Sequence, residues 1–204
     1  MLRPHFFAIC ALALLQACSS SSTDSPGPTP PKAPNKFRVK FETTKGDFVV
    51  DALREWSPIG ADRFHELVQA NFFEGAKFFR IVPGFVVQFG LKGVPEIDNK
   101  WEQAVIEDDP PSGISNTLGT ISFATRGPKS RTSQLFVNIG NNGRLDSMGF
   151  TPFGRVTEGM QVVMSLHSAY GEAPDQGRIR TEGNAYLERQ FPQLDGIKKA
   201  SIIN

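Results

Sequence analysis

Alternating apolar and polar positions open the folded part of this chain. Phe37, Val39 and Phe41 are separated by Arg38, Lys40 and Glu42, the period-two pattern of a strand with one buried face. Lys45-Gly46-Asp47 predicts a turn and Phe48-Val49-Val50-Asp51-Ala52-Leu53 a returning strand, so the domain begins with an antiparallel hairpin. The spacing then becomes helical. Ser57-Pro58 supplies an N-cap followed by proline at the first helical position, and Phe64, Leu67 and Val68 share one face. Asn71-Phe72-Phe73-Glu74-Gly75 predicts its end. Further strands are predicted over residues 77–82, 85–89, 119–124 and 134–139, with a second helix from near Thr157 that places Met160, Val163 and Met164 on one side. Ser201-Ile202-Ile203 supplies a last edge strand. Many short strands and two helices point to a closed or nearly closed β structure.

The first 34 residues follow no such pattern. Arg3 precedes an apolar run from Phe6 to Leu15 that is too short to span a bilayer and reads as an export signal. Leu15-Gln16-Ala17-Cys18 resembles a bacterial lipobox, in which the cysteine becomes the lipid-carrying first residue; a plain cleaved signal with an incidental cysteine is the alternative. Ser19, rather than Asp, follows that cysteine, which points to a lipid-anchored cell-envelope protein on the outer membrane, facing the periplasm. Residues 19–34 are rich in Ser and Pro and too poor in apolar side chains to fold, so they form either a semi-extended spacer or a linker without a reach requirement. The expected organisation is a lipoprotein signal peptide over 1–17, a lipidated cysteine and disordered tether over 18–34, and one folded domain over 35–204. Cys10 and Cys18 are the only cysteines, so this division leaves no disulfide or thiol metal site in the domain.

Charge excludes more than it suggests. Without the leader's Arg3, 21 cations face 21 acidic residues, so no basic stripe calls for nucleic acid. His65 and His167 have no carboxylate or cysteine at metal spacing, and Ser133 lacks a nucleophile elbow. Glu107-Asp108-Asp109, followed by Pro110-Pro111, reads as a solvated loop. The informative chemistry lies in two blocks, Phe79-Arg80-Ile81-Val82-Pro83-Gly84-Phe85-Val86-Val87-Gln88 and Ser133-Gln134-Leu135-Phe136-Val137. They set one cation and two glutamines among aromatic and aliphatic side chains. A guanidinium does not give up its proton at ordinary pH, so Arg80 is a poor base but a fixed donor toward a carbonyl oxygen or amide nitrogen. Taken singly, Arg80 would be an ion-pairing surface residue, Gln88 and Gln134 solvated or bonded to backbone, and Phe85, Phe136 and Leu145 core. Phe123, Leu135 and Phe153 are assigned to the core.

The blocks FFRIVPGFVVQFG (residues 78–90), GTISFATRGPKSRTSQLFVNI (119–139), RLD (144–146) and FGRVTEGMQVV (153–163) resemble, in order and spacing, those of cyclophilin-type peptidyl-prolyl cis-trans isomerases. The likeness spans residues 37–200 and implies an eight-stranded antiparallel barrel capped by two helices, with a shallow groove on its outside. It implies that the catalytic set is Arg80, Phe85, Gln88, Phe136 and Leu145, and that Val86, Ala124, Thr125, Gln134 and Phe150 contact the substrate. The activity implied is rotation about Xaa-Pro bonds of unfolded or flexible polypeptides, without a cofactor, metal or nucleotide, by a monomer. The chemistry needs no covalent step: an apolar pocket grips the pyrrolidine ring while Arg80 weakens amide resonance.

Three departures accompany the likeness. Arg144 stands where many eukaryotic members carry a tryptophan that contributes to cyclosporin binding, which implies weak affinity for that drug. Phe150 replaces a pocket-edge histidine, because the segment from Leu145 to Phe153 is one residue longer than in the common eukaryotic form. Phe79 replaces a histidine before the catalytic arginine. A second reading uses the same groove without turnover, as a membrane-tethered peptide-binding chaperone module.

Overall fold

The computed structural model of the chain describes residues 32–204. The expected signal peptide, Cys18 and most of the tether lie outside those residues. Ala33 is already buried in the main core and donates its N–H to Asp62 Oδ1 at 2.9 Å, so folded contacts begin two residues before the expected boundary at Asn35.

The hairpin forms where alternation predicts it. β1 (Lys36–Thr43) and β2 (Gly46–Leu53) pair antiparallel from Lys36↔Leu53 to Thr43↔Gly46, leaving only Thr44 and Lys45 in the turn. α1 (Pro58–Gln69) starts at its proline and buries Phe64, Leu67 and Val68, but Ser57 does not cap it. The Ser57 hydroxyl donates to Asp109 instead, and Asp109 accepts from the N–H groups of Ile59 and Gly60, each at 2.8 Å. The first N–H groups of a helix have no intrahelical partner and attract an anion. Here a carboxylate far along the chain takes that place, which corrects the solvated-loop expectation: the Asp109 side chain is fully buried, with Arg131 Nη1 3.0 Å away.

The remaining strands are β3 (Arg80–Val82), β4 (Val86–Phe89), β5 (Thr120–Phe123), β6 (Leu135–Asn138), β7 (Pro152–Glu158) and β8 (Ile197–Ile203). The sheet order is β3-β4-β6-β5-β7-β2-β1-β8, antiparallel throughout. The expected eight-stranded architecture is therefore present as a curled sheet. Its two end strands approach through their run-ins: Lys77 bridges Gly196, and the Ile197 N–H donates to Ala76 O at 2.9 Å. One face of the curl holds the main core, where Phe41 stacks on Phe48 with ring centroids 4.8 Å apart and where Phe123, Leu135 and Phe153 are buried as expected.

The helices depart from expectation. Thr157 belongs to β7, and the second predicted helix is the short α3 (Met160–Met164). Five residues make too little helix to hold a whole stripe inside: Val163 is buried, Met164 is 55% exposed, and Leu166 beyond the helix fills the core. Besides α1 and α3, the described residues form α2 (Pro95–Gln103), α4 (Gln176–Glu182) and α5 (Asn184–Gln190), which the sequence pattern does not predict. Ile179, Tyr186 and Leu187 of α4 and α5 cover Phe79 and Leu91 in a satellite cluster, apart from the main core.

Candidate active site

Strand register assembles the centre of the site. Arg80 on β3 pairs with Gln88 on β4, Gln88 with Phe136 on β6, and Phe136 with Ser122 on β5, giving one row across four strands. Because successive strand side chains point to opposite faces, Val86 and Gln88 share the outer face while Val87 and Phe89 enter the core. Pro83-Gly84 forms the turn between β3 and β4, with Gly84 at φ 73° and the Phe85 N–H donating to Val82 O at 2.9 Å. Proline at the second and a left-handed glycine at the third position suit a type II turn. The Phe85 carbonyl then accepts from the Ile139 N–H at 2.9 Å and from Asn142 Nδ2 at 2.8 Å. Gly140 permits this closeness, since a Cβ there would sit 1.9 Å from Gly84 O.

Arg80, Phe85, Val86, Gln88, Ala124, Thr125, Phe136, Leu145 and Phe150 line a single cavity of about 160 Å³. Nine of the ten groove residues expected from the sequence thus meet in one place. Val86, Phe136 and Leu145 are buried, with Phe85, Ala124 and Phe150 packed on them, yet this cluster is separate from the main core. The apolar residues assigned to the site therefore serve a second, outward-facing enclosure. Phe150 stands edge-on to Phe136 with centroids 5.6 Å apart, so it occupies the pocket edge as expected.

A polar net holds the loop that carries Leu145 and Phe150. Leu145 lies in a 3-10 helix at Gly143–Met148. Asn116 Nδ2 donates to Phe150 O at 2.7 Å and to Asp146 Oδ1 at 2.8 Å, and the Asn116 N–H reaches the same oxygen at 2.9 Å. Burial pushes the Asp146 carboxyl up, but the bonds from Ser115 and Asn116 outweigh it and hold the group below the ordinary aspartate value.

The polar edge of the cavity is a chain of side chains. Arg80 Nη1 donates to Gln88 Oε1 at 3.1 Å, and Gln88 Nε2 donates to Gln134 Oε1 at 2.8 Å. Gln88 and Gln134 are each only 8% exposed, so their amides are fixed by partners rather than by water. Two cations flank the Phe85 ring, Arg80 at 5.7 Å and Arg144 at 4.8 Å from its centroid. Gln134 lies outside the apolar cavity and lines a second one of about 230 Å³, which shares Gln88, Ala124 and Thr125 and is completed by Glu102, Arg126, Ser130, Thr132, Gln176 and Arg180. Glu102 joins its walls, pairing with Arg126 and lying 3.5 Å from Arg180 Nε. Glu102, Gln176, Arg180 and Glu172, which pairs with Arg80, carried no signal in the sequence. Arg126 lies inside one of the matching blocks, and its exposed charge could have marked it.

A model described as "Cyclophilin type peptidyl-prolyl cis-trans isomerase/CLD" matches residues 38–183. The chain belongs to the cyclophilin family. Among its relatives, a peptidyl-prolyl cis-trans isomerase of Acinetobacter baylyi is 34% identical over 130 residues, covering 61% of this chain and 69% of the relative. Peptidyl-prolyl cis-trans isomerase A of Dickeya dadantii is 31% identical over 145 residues, 69% of this chain and 76% of the relative. A crystal structure of a Cryptosporidium parvum cyclophilin-type isomerase superimposes with a TM-score of 0.63 at 18% identity, over 83% of this chain and 98% of that one. A second structure of it, obtained in the presence of the dipeptide Ala-Pro, gives a TM-score of 0.61, also at 18% identity, over 82% of this chain and 99% of that one. This cyclophilin is accordingly an isomerase of peptidyl-prolyl bonds.

Proposed function

We propose that this cyclophilin speeds cis/trans exchange of Xaa-Pro bonds in exported polypeptides, with Arg80 as the catalytic donor and the envelope as its place of work. An Xaa-Pro bond favours trans by only about 0.5–1 kcal/mol, yet its rotation meets a barrier of roughly 18–20 kcal/mol because amide resonance must be broken. The enzyme therefore needs to bind the twisted amide more tightly than either planar isomer. The observation that carries the reading is a guanidinium tied to Gln88 at 3.1 Å on the lip of an apolar enclosure separate from the core.

Phe85, Val86, Phe136 and Leu145 hold the pyrrolidine ring, and the segment before proline rotates over Ala124 and Thr125. Arg80 donates toward the prolyl nitrogen as it becomes pyramidal and toward the neighbouring carbonyl, where electron density changes most. Gln88 orients the guanidinium, and Gln134 orients Gln88. The pocket lining contains no histidine or carboxylate, in keeping with a mechanism that moves no proton.

NMR exchange on an Ala-Pro peptide, the dipeptide used with the Cryptosporidium relative, tests the mechanism. Fast exchange that falls about 10²–10³-fold in Arg80→Ala supports the donor role; peptide binding without accelerated exchange favours the tethered chaperone instead. Leu15-Gln16-Ala17-Cys18 supports the anchored form. Wild-type protein in the membrane fraction and Cys18→Ala in the soluble fraction is the expected result.

A further inference from the structure

Three of the five N–H donors of Arg80 are engaged. Gln88 takes one from Nη1, while Nε donates to Glu172 Oε1 at 2.7 Å and Nη2 contacts the same oxygen. Two remain, one on each terminal nitrogen, to meet a substrate. The guanidinium is thus gripped along one edge by Glu172 and held by Gln88 at Nη1.

Glu172 is not an incidental surface partner. It follows Gly171, whose carbonyl accepts the N–H of Ile81, the residue next to Arg80, at 3.2 Å. The segment that carries Glu172 is therefore fastened to the same strand that carries Arg80. Tyr170, just before it, stands edge-on to both His167 and Phe191, with centroids 4.9 and 5.1 Å away, so the loop is also packed on the satellite cluster. The carboxylate itself stays 63% exposed, whereas the Arg80 side chain is 25% exposed, and only Arg80 of the two lines the apolar pocket.

We infer that Glu172 is a positioning residue for the prolyl isomerase reaction, setting the plane of the Arg80 guanidinium so that its two free N–H groups face the proline pocket. This inference rests on the donor role of Arg80. A long arginine side chain has several rotatable bonds, and a donor must be aligned with the twisted amide before reaction to favour it. Gln88 alone fixes one nitrogen; Glu172 supplies the second contact that stops rotation about it.

The test is a double-mutant cycle of Arg80→Ala and Glu172→Ala, with kcat and KM read separately on an Ala-Pro peptide. The expected result is that Glu172→Ala lowers kcat about fivefold, the range of a well-ordered exposed pair, with little change in KM. Glu172→Gln, which keeps an acceptor oxygen, recovers part of the loss. In the Arg80→Ala background, removing Glu172 changes nothing further. An unchanged or increased kcat in Glu172→Ala overturns the inference, as does an equal loss in both backgrounds. If Arg80→Ala collapses exchange while Glu172→Ala leaves it intact, only the role of Glu172 fails. If Arg80→Ala itself leaves exchange intact, the donor role and this inference fall together.

Discussion

The apolar pocket and the polar cavity beside it share Gln88, Ala124 and Thr125, yet they are built differently. The pocket comes from adjacent strands and one 3-10 segment, and its walls are rings and branched side chains fixed by packing. The cavity draws Glu102 from α2, Gln176 and Arg180 from α4, and Arg126 through Gln134 from the stretch between β5 and β6. Its walls are amides and hydroxyls together with three charged side chains, Arg126, Arg180 and the Glu102 that joins them. Enclosure by packing gives a fixed shape suited to one ring, whereas long charged side chains at the surface adapt to what passes and contribute little binding each. On the proposed mechanism catalysis falls to the first region, and at most a modest adjustment of substrate choice to the second.

The largest effect is expected beneath the polar cavity. Asp109 and Arg131 form a buried pair with side chains 0% and 4% exposed, next to Thr132 and under the stretch that lines the cavity. Asp109→Ala leaves Arg131 buried without its one fully buried carboxylate partner and uncaps α1, so denaturant unfolding should show a loss of about 3–5 kcal/mol. Next comes Arg80→Ala. A 10²–10³-fold fall in kcat/KM corresponds to about 3–4 kcal/mol of transition-state stabilisation, with unfolding stability close to wild type. A stable Asp109→Ala protein, or an Arg80→Ala protein that exchanges Ala-Pro normally, would break the division between support and chemistry.

How much was legible follows the same division. Arg80, Phe85, Gln88 and Phe136 sit in two contiguous blocks; alternation and register put Arg80, Gln88 and Phe136 on one face once the strands are recognised, whereas Phe85 reaches the pocket from the turn before β4. The polar surroundings depend on pairings that no local pattern encodes: Glu172 meets Arg80 across 92 residues, and Asp109 caps α1 from about 50 residues away. An acidic run next to two prolines looks solvated until the open helix end it serves is known. The missed helices are similar. α2 has a single fully buried residue, Asp98, and α4 has one, Ile179, so neither presents the apolar stripe from which a helix is read. α3 failed in the opposite direction: its stripe was visible, but the strand before it runs on to Glu158 and leaves only one full turn and a little more.

Smaller effects sharpen the comparison. Phe136→Ala opens the pocket wall against Phe150 and should lower kcat/KM for Ala-Pro about tenfold, mainly through KM, because ring contact is lost in ground and transition states alike. Arg180→Ala should leave turnover of a neutral Ala-Pro peptide within about twofold, since its guanidinium reaches Glu102 and the Gln176 carbonyl rather than the proline pocket. Any change should appear as altered discrimination between neutral and acidic peptides. A loss in Arg180→Ala as large as that in Phe136→Ala would mean the two cavities act as one.

The least change is expected with pH. Arginine, phenylalanine, leucine and glutamine do not titrate between about pH 6 and pH 9, so kcat/KM should be flat there. The acid limb has a different origin. Asp146 has a folded-state value below its unfolded one, so the stability it contributes is fully present above an unfolded value of about 3.9 and is lost as pH falls through the lower folded value. Protonation there releases the bonds from Ser115 and Asn116 that hold the loop with Leu145 and Phe150. Activity and loop order, followed by NMR of Phe150, should therefore fail together in acid. Asp146→Asn should already show the loosened loop at neutral pH. A sloping profile in the neutral range would instead require a titrating group in the pocket, which its lining does not contain.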